Sequence, residues 1–117
     1  MGAPTKTIVI DLDGTLCEQT AGGKEYFTAK PIQPMIDKLH EYAAAGWRIV
    51  IYTARGMNQF RGRLDRIEDE YREGTEQWLE DNHVPWDWLV FGKMPGDLYV
   101  DDKGASFHEF LTRPVAG

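Results

Sequence analysis

The chain has 117 residues, with 13 basic against 19 acidic side chains for a formal net charge of −6, and 42% of its residues are hydrophobic. That is enough apolar material for one buried core, so disorder and a second full domain are excluded and residues 1–117 are expected to form a single domain. No run approaches the ~18 apolar residues of a membrane span, the start MGAPTK lacks a signal-peptide layout, and Lys6 stands where a Gly2 myristoylation motif needs Ser or Thr, so a cytoplasmic protein with no membrane partner is expected.

In chain order, the β-branched run from Lys6 to Asp11 reads as a first buried strand that stops at a carboxylate before Gly14. Leu16 to Ala29 is polar and rich in glycine, which predicts an exposed hairpin or loop, a flap, rather than core. Pro34 suits a first helical turn, Met35, Ile36, Leu39, Tyr42 and Ala43 repeat at helical spacing, and Gly46 suits the end. Trp47 to Thr53 reads as a second strand, and Ala54 to Arg63 as loop. Leu64, Ile67 and Tyr71 share one helical face, while Gly74 followed by Thr75 allows either a kink or a fresh N-cap. Trp88 to Phe91 reads as a third strand, Leu98 to Val100 as a fourth, and Ser106 as the cap of a closing helix through Leu111. Strands alternating with helices predict an α/β fold with a parallel sheet and helices on both faces.

In such sheets ligands bind beyond the carboxyl ends of the strands. Here those ends are polar: Asp11-Leu-Asp13-Gly-Thr15, Thr53-Ala54-Arg55, Gly92-Lys93 and Asp101-Asp102-Lys103. Carboxylates gathered in one crevice repel unless a cation lies among them, and hard oxygen ligands without imidazole or thiolate favour Mg²⁺. Cys17 alone closes no bridge, and His40, His83 and His108 are too scattered for zinc. Lys93 and Thr53 then fit as a cation and a hydroxyl donor to a phosphate, and the set reads as a phosphoryl-transfer site.

These motifs, in this order, resemble those of the haloacid dehalogenase superfamily, chiefly its phosphatases, over residues 6–103. Phe91-Gly-Lys93-x-Pro95 followed by Tyr99-Val-Asp-Asp-Lys103 is similar, more narrowly, to small capless members of capsule or polysaccharide biosynthesis. The resemblance implies a three-layer α/β/α Rossmann-like sheet, capless, with a short flap hairpin after the first strand. It implies Asp11 as nucleophile forming an aspartyl-phosphate and Asp13 as general acid and base. Mg²⁺ would be held by the Asp11 carboxylate, the Asp13 backbone carbonyl and the Asp102 carboxylate, with Thr15 behind these ligands and Asp101 steering either that outer layer or Lys93. Thr53, backbone amides near Leu12 and Ala54, and Lys93 would hold the transferring group, and Arg55 is a further candidate to touch substrate. The substrate implied is a small phosphomonoester, most simply a sugar phosphate, shaped by the flap, by loops or by a neighbouring copy in a homo-oligomer.

Each feature also has a plainer explanation. Asp11 and Asp13 suit a turn before glycine, but a calcium loop counted from Asp11 would need Gly at Leu16 and Glu at Gly22. Arg55, Arg61, Arg63 and Arg66 can form a solvated face opposite Glu68, Asp69, Glu70 and Glu73, and Trp78, Trp86 and Trp88 suit core or rim packing. Cys17 has no activating neighbour in the sequence and reads as an ordinary thiol. The capless plan also resembles the phosphatase domain of phage polynucleotide kinase, but the acidic balance disfavours a nucleic-acid substrate. A signalling receiver module is set aside because Thr53, not Asp, ends the middle strand. A silent binding domain is set aside because no motif residue is missing.

Overall fold

The run after Lys6 becomes a strand because its β-branched side chains pack on a pleated surface while the backbone pairs with a second such run. In the computed structural model, which describes residues 5–115, β1 (Thr7–Asp11) lies parallel to β2 (Arg48–Thr53), with Ile10 opposite Ile51 and Asp11 opposite Tyr52. β3 (Trp88–Phe91) pairs with the other side of β2, Thr53 opposite Phe91, giving a parallel sheet in the order β1-β2-β3. Past the end of β3 the Lys93 amide donates to the Thr53 carbonyl at 3.1 Å, so the pairing continues and fixes where Lys93 leaves the sheet.

α1 (Gln33–Ala44) carries Pro34 in its first turn and buries Met35, Ile36, Leu39 and Tyr42, one face of a 3.6-residue repeat; Gly46 beyond it sits at φ +89°, where a side chain would be strained. α2 (Leu64–Asp81) runs through Gly74 as one continuous helix and buries Ile67, Tyr71, Thr75, Trp78 and Leu79. α3 (Phe107–Thr112) begins with a capping box: Ser106 accepts from the Glu109 amide and the Glu109 side chain accepts from the Ser106 amide. α1 packs on α3, where the Tyr42 and Phe110 rings stack at 5.2 Å, and α2 packs on β3. Ile36, Leu39, Ile51, Ile67 and Leu79 are fully buried. Each such side chain contributes about 1.5–3 kcal/mol relative to exposure, so the sheet and its helices form one connected core. No described helix is long and apolar enough to cross a membrane. Gly2 and the rest of the expected non-signal N-terminus up to Pro4 lie outside the described residues.

The structure corrects two expectations. The segment from Leu16 to Ala29 takes the hairpin alternative of the expected hairpin or loop, but its base is buried rather than exposed. It leaves and returns through a stem in which Ile32 N–H donates to the Leu16 carbonyl and Glu18 N–H to the Lys30 carbonyl, both at 2.8 Å, while Cys17 bridges Pro31. Leu16, Cys17 and Ala29 are buried, and the excursion itself holds a 3-10 helix, Gly23–Thr28, whose Tyr26 and Phe27 rings pack on α2 at Tyr71. Nor does Leu98–Val100 form a fourth strand. These residues are 80%, 55% and 84% exposed, and the outer edge of β1 carries no partner strand among the described residues. A run of three residues makes too few ladder bonds to compensate for the lost backbone entropy. The local alternative is a turn in which the Tyr99 hydroxyl accepts from Gly96 N–H and donates to the Met94 carbonyl, both at 2.8 Å.

Candidate active site

β1 ends at Asp11, and a tight turn then doubles the chain back. The Leu12 carbonyl accepts from the amides of Thr15, Leu16 and Cys17 at 3.1, 2.8 and 3.2 Å, and Gly14 sits at φ +83°, the left-handed region that only glycine enters without strain. Two residues apart along an extended chain, Asp11 and Asp13 lean toward the same side. They form the floor of an open cleft of about 320 Å³, together with Ala54, Arg55 and Lys93 from the ends of β2 and β3. One wall is the flap, at Gln19 to Gly22 and Tyr26; the other is Pro95, Gly96 and Tyr99.

Lys93 stands within reach of an anion. Its Nζ lies 3.3 Å from Asp11 Oδ1 and 4.3 Å above the Tyr99 ring, so one cation meets a carboxylate on one side and an aromatic face on the other. Asp13 is held differently. Arg55 Nε donates to both of its oxygens, at 3.0 and 3.2 Å, Arg55 Nη2 donates to Oδ1 at 2.9 Å, and the Thr53 hydroxyl donates to Oδ2 at 3.4 Å. Thr53 is fully buried, and its hydroxyl also accepts the Arg55 amide at 3.1 Å, so it braces Asp13 and the turn into the next loop rather than opening onto the cleft.

The Arg55 side chain is 0% exposed. Beyond Asp13 it donates to Thr75 Oγ1 on α2 at 3.1 Å and to the Tyr26 carbonyl on the flap at 3.4 Å, and its guanidinium lies 4.4 Å from the Tyr26 ring centroid. Buried charges need such complete pairing, and no described buried side-chain polar atom lacks a partner. Arg55 therefore lines the cleft while its guanidinium faces protein partners. Cys17 is buried beside the same cluster, 3.5 Å from Asp13 Oδ1; burial first, then the Asp13 carboxylate, pushes its thiol from 9.0 to about 12, against the opposing pull of Arg55. Burial likewise raises the Tyr26 hydroxyl, with Asp13 next in effect.

The remaining predicted residues are not all brought together. Leu12 is fully buried with its side chain in the core. Thr15 and Asp101 line an adjoining, larger groove of about 1230 Å³ along the outer edge of β1, which shares Asp11, Lys93 and Tyr99 with the cleft. The Asp101 carboxylate accepts the Lys103 amide at 2.6 Å, a local turn, and Asp102 is exposed and lines neither cavity. Among the described residues no three His, Cys, Asp or Glu side chains group to hold a metal ion. The missing fourth strand explains this, because it was to carry Asp102 to the crevice. What the cleft offers a hard cation is the Asp11 carboxylate and the Asp13 carbonyl, which accepts from Gln19 Nε2 at 3.3 Å. Mg²⁺ is suited to so few protein ligands, since it keeps several waters and takes phosphate oxygens from its substrate.

Sequence reasoning expected the flap to shape the substrate but did not single out Tyr26 or Tyr99 in the cleft walls, nor the anchor Thr75. Thr75 did carry a signal: it stands four residues after Tyr71 in an apolar stripe, and a hydroxyl there needs a buried partner.

No family model and no curated protein matches the chain. Among solved structures, a chain of the Pnkp1/Rnl/Hen1 complex is 24% identical with a TM-score of 0.55 over 75% of this chain and 28% of that one. A chain of the Pnkp1/Rnl/Hen1 RNA repair complex is 22% identical with a TM-score of 0.54, over 75% and 25%. At these identities the likeness is one of fold, and the present chain spans about a quarter of their length. The crystal structure of an MCSG target from Vibrio cholerae matches with a TM-score of 0.86 and 32% identity. That match covers 94% of this chain and 90% of the other, and the protein therefore belongs to one family with the Vibrio cholerae protein.

Proposed function

We propose that the chain is a capless phosphatase of the haloacid dehalogenase type, in a three-layer α/β/α arrangement, that hydrolyses a small phosphomonoester, most simply a sugar phosphate. The observation that carries this reading is the meeting of Asp11, Asp13, Ala54 and Lys93 around one open cleft at the carboxyl ends of three parallel strands. The motif order gives the roles. An Asp11 carboxylate oxygen attacks phosphorus, the bond to the leaving oxygen breaks, and Asp13 gives its proton to the departing alkoxide. Water then attacks the aspartyl-phosphate, its proton passes to Asp13, and the bond from phosphorus to Asp11 breaks to release phosphate. Lys93 offsets the charge that builds on the transferring group, and the Ala54 amide donates to it.

Mg²⁺ would be held by the Asp11 carboxylate and the Asp13 carbonyl, and would supply further neutralisation of the phosphate oxygens. Asp102 can join it only if the segment that carries it approaches β1. Assay against a panel of phosphomonoesters with Mg²⁺ is the test. Turnover is expected, lost on chelation with EDTA, restored by Mg²⁺ and abolished in Asp11→Asn with circular dichroism unchanged. Full turnover by Asp11→Asn contradicts the nucleophile, and an inactive wild type across the panel contradicts the phosphatase.

A further inference from the structure

Arg55 takes no part in the phosphoryl transfer so described, although it is among the most deeply buried side chains of the described residues. A substrate-binding arginine keeps N–H groups free for the phosphate. Here Nε and Nη2 face both oxygens of Asp13, Nη1 faces Thr75, and Nη2 also reaches the Tyr26 carbonyl. To grip a phosphate the guanidinium would have to abandon Asp13 inside a desolvated pocket, where an unpaired charge is costly. Its planar fork, by contrast, suits a carboxylate, fixing the plane as well as the position of the group it holds.

We propose that Arg55 is a positioning residue for proton transfer: it sets the orientation of the Asp13 carboxyl from three surrounding elements, the end of β2, Thr75 of α2 and the flap at Tyr26. The proposal rests on the reading of Asp13 as the acid that protonates the leaving oxygen. Proton donors are sensitive to placement, and a shift of about 1 Å costs on the order of 100-fold. A lysine at this position keeps the charge but offers a point donor in place of the fork, so Asp13 would be held without a defined plane.

Leaving-group dependence separates this role from a merely structural one. p-Nitrophenyl phosphate releases a weakly basic phenolate that needs little help from an acid, whereas an alkyl phosphate such as glycerol phosphate needs the proton. kcat/KM reports only the steps up to alcohol release, so the later work of Asp13 on water does not enter. Arg55→Lys is expected to lose about 100-fold in kcat/KM on the alkyl phosphate and less than about fivefold on the aryl one, the same bias as Asp13→Asn. Equal losses on both substrates, or none, overturn the proposal while leaving the phosphatase intact; a wild type inactive on both overturns the phosphatase reading itself. Should Arg55→Lys fail to fold by circular dichroism, Thr75→Val removes one anchor of the guanidinium without touching Asp13. It is expected to show a smaller bias of the same sign, and no bias would overturn the proposal.

Discussion

Lys93 is placed by three things at once: the ladder bond from its amide to Thr53, the Asp11 carboxylate and the face of Tyr99. Losing one preorganised donor to transition-state charge costs about 2.7–4 kcal/mol, so Lys93→Ala should lower kcat by about 10²–10³-fold with folding unchanged. Steady-state kinetics checks this, and a kcat within about threefold of wild type would remove Lys93 from the site. Cys17 makes a prediction in pH. Its thiol is raised from 9.0 to about 12 by burial, so the folded state keeps a proton that the unfolded chain releases. The stabilisation is fully present below pH 9.0, and stability falls as pH climbs from there toward about 12, with Tyr26 and Tyr71, also raised, acting in the same direction. Thermal melts between pH 8 and 11 should show this decline, less steep in Cys17→Ala, and the folded thiol should resist alkylation at pH 8. At this scale Asp11, Asp13 and Lys93 were legible because chemistry-bearing residues stood at apolar strand ends. The grip of Arg55 on Asp13, 42 residues apart, was not legible, since side-chain direction depends on the packing of the flap and α2.

Among the elements, the flap is held by shape complementarity with α2. A Cβ at Gly74 would overlap the Phe27 ring, so glycine at this mid-helix position permits close approach of the flap. Helix propensity alone favours Gly74→Ala by about 1 kcal/mol. Forced overpacking costs about 1–3 kcal/mol and should win, so the variant is expected to melt lower than wild type and to raise KM through the displaced wall at Tyr26. A higher melting temperature with unchanged KM would show that the flap yields freely. The sequence pattern allowed either a kink or a new helix at Gly74; periodicity cannot distinguish a helix weakened by glycine from one that needs it for contact. The fourth strand shows the opposite limit. Leu98–Val100 has strand composition, but three residues whose central tyrosine makes a local pair of hydrogen bonds do not suffice to pair with β1.

For the whole molecule, a charge of −6 sets the long-range field. Exposed Arg61, Arg63 and Arg66 stand among acidic neighbours, and Arg63 pairs with Asp65 at 2.9 Å, so no extended basic track results. Phosphorylated oligonucleotide ends should be turned over more slowly than sugar phosphates. Oligonucleotide turnover that exceeds sugar-phosphate turnover and drops steeply with added salt would reverse that order of substrates. The parallel α/β plan was legible from alternating strand and helix periods, and the site's position followed from it. Where the chain departs from expectation, around Asp101 and Asp102, the cause is tertiary: among the described residues no strand pairs with the outer edge of β1, so the acidic pair lies away from the cleft.

The central claim is covalent chemistry at Asp11, and acid quenching during turnover of a ³²P-labelled phosphomonoester, followed by peptide mapping, reads it most directly. The label should appear on the peptide carrying Asp11, be lost to hydroxylamine as an acyl phosphate is, and be absent in Asp11→Asn. Steady turnover with no trapped phosphoprotein, or label on another residue, would contradict it.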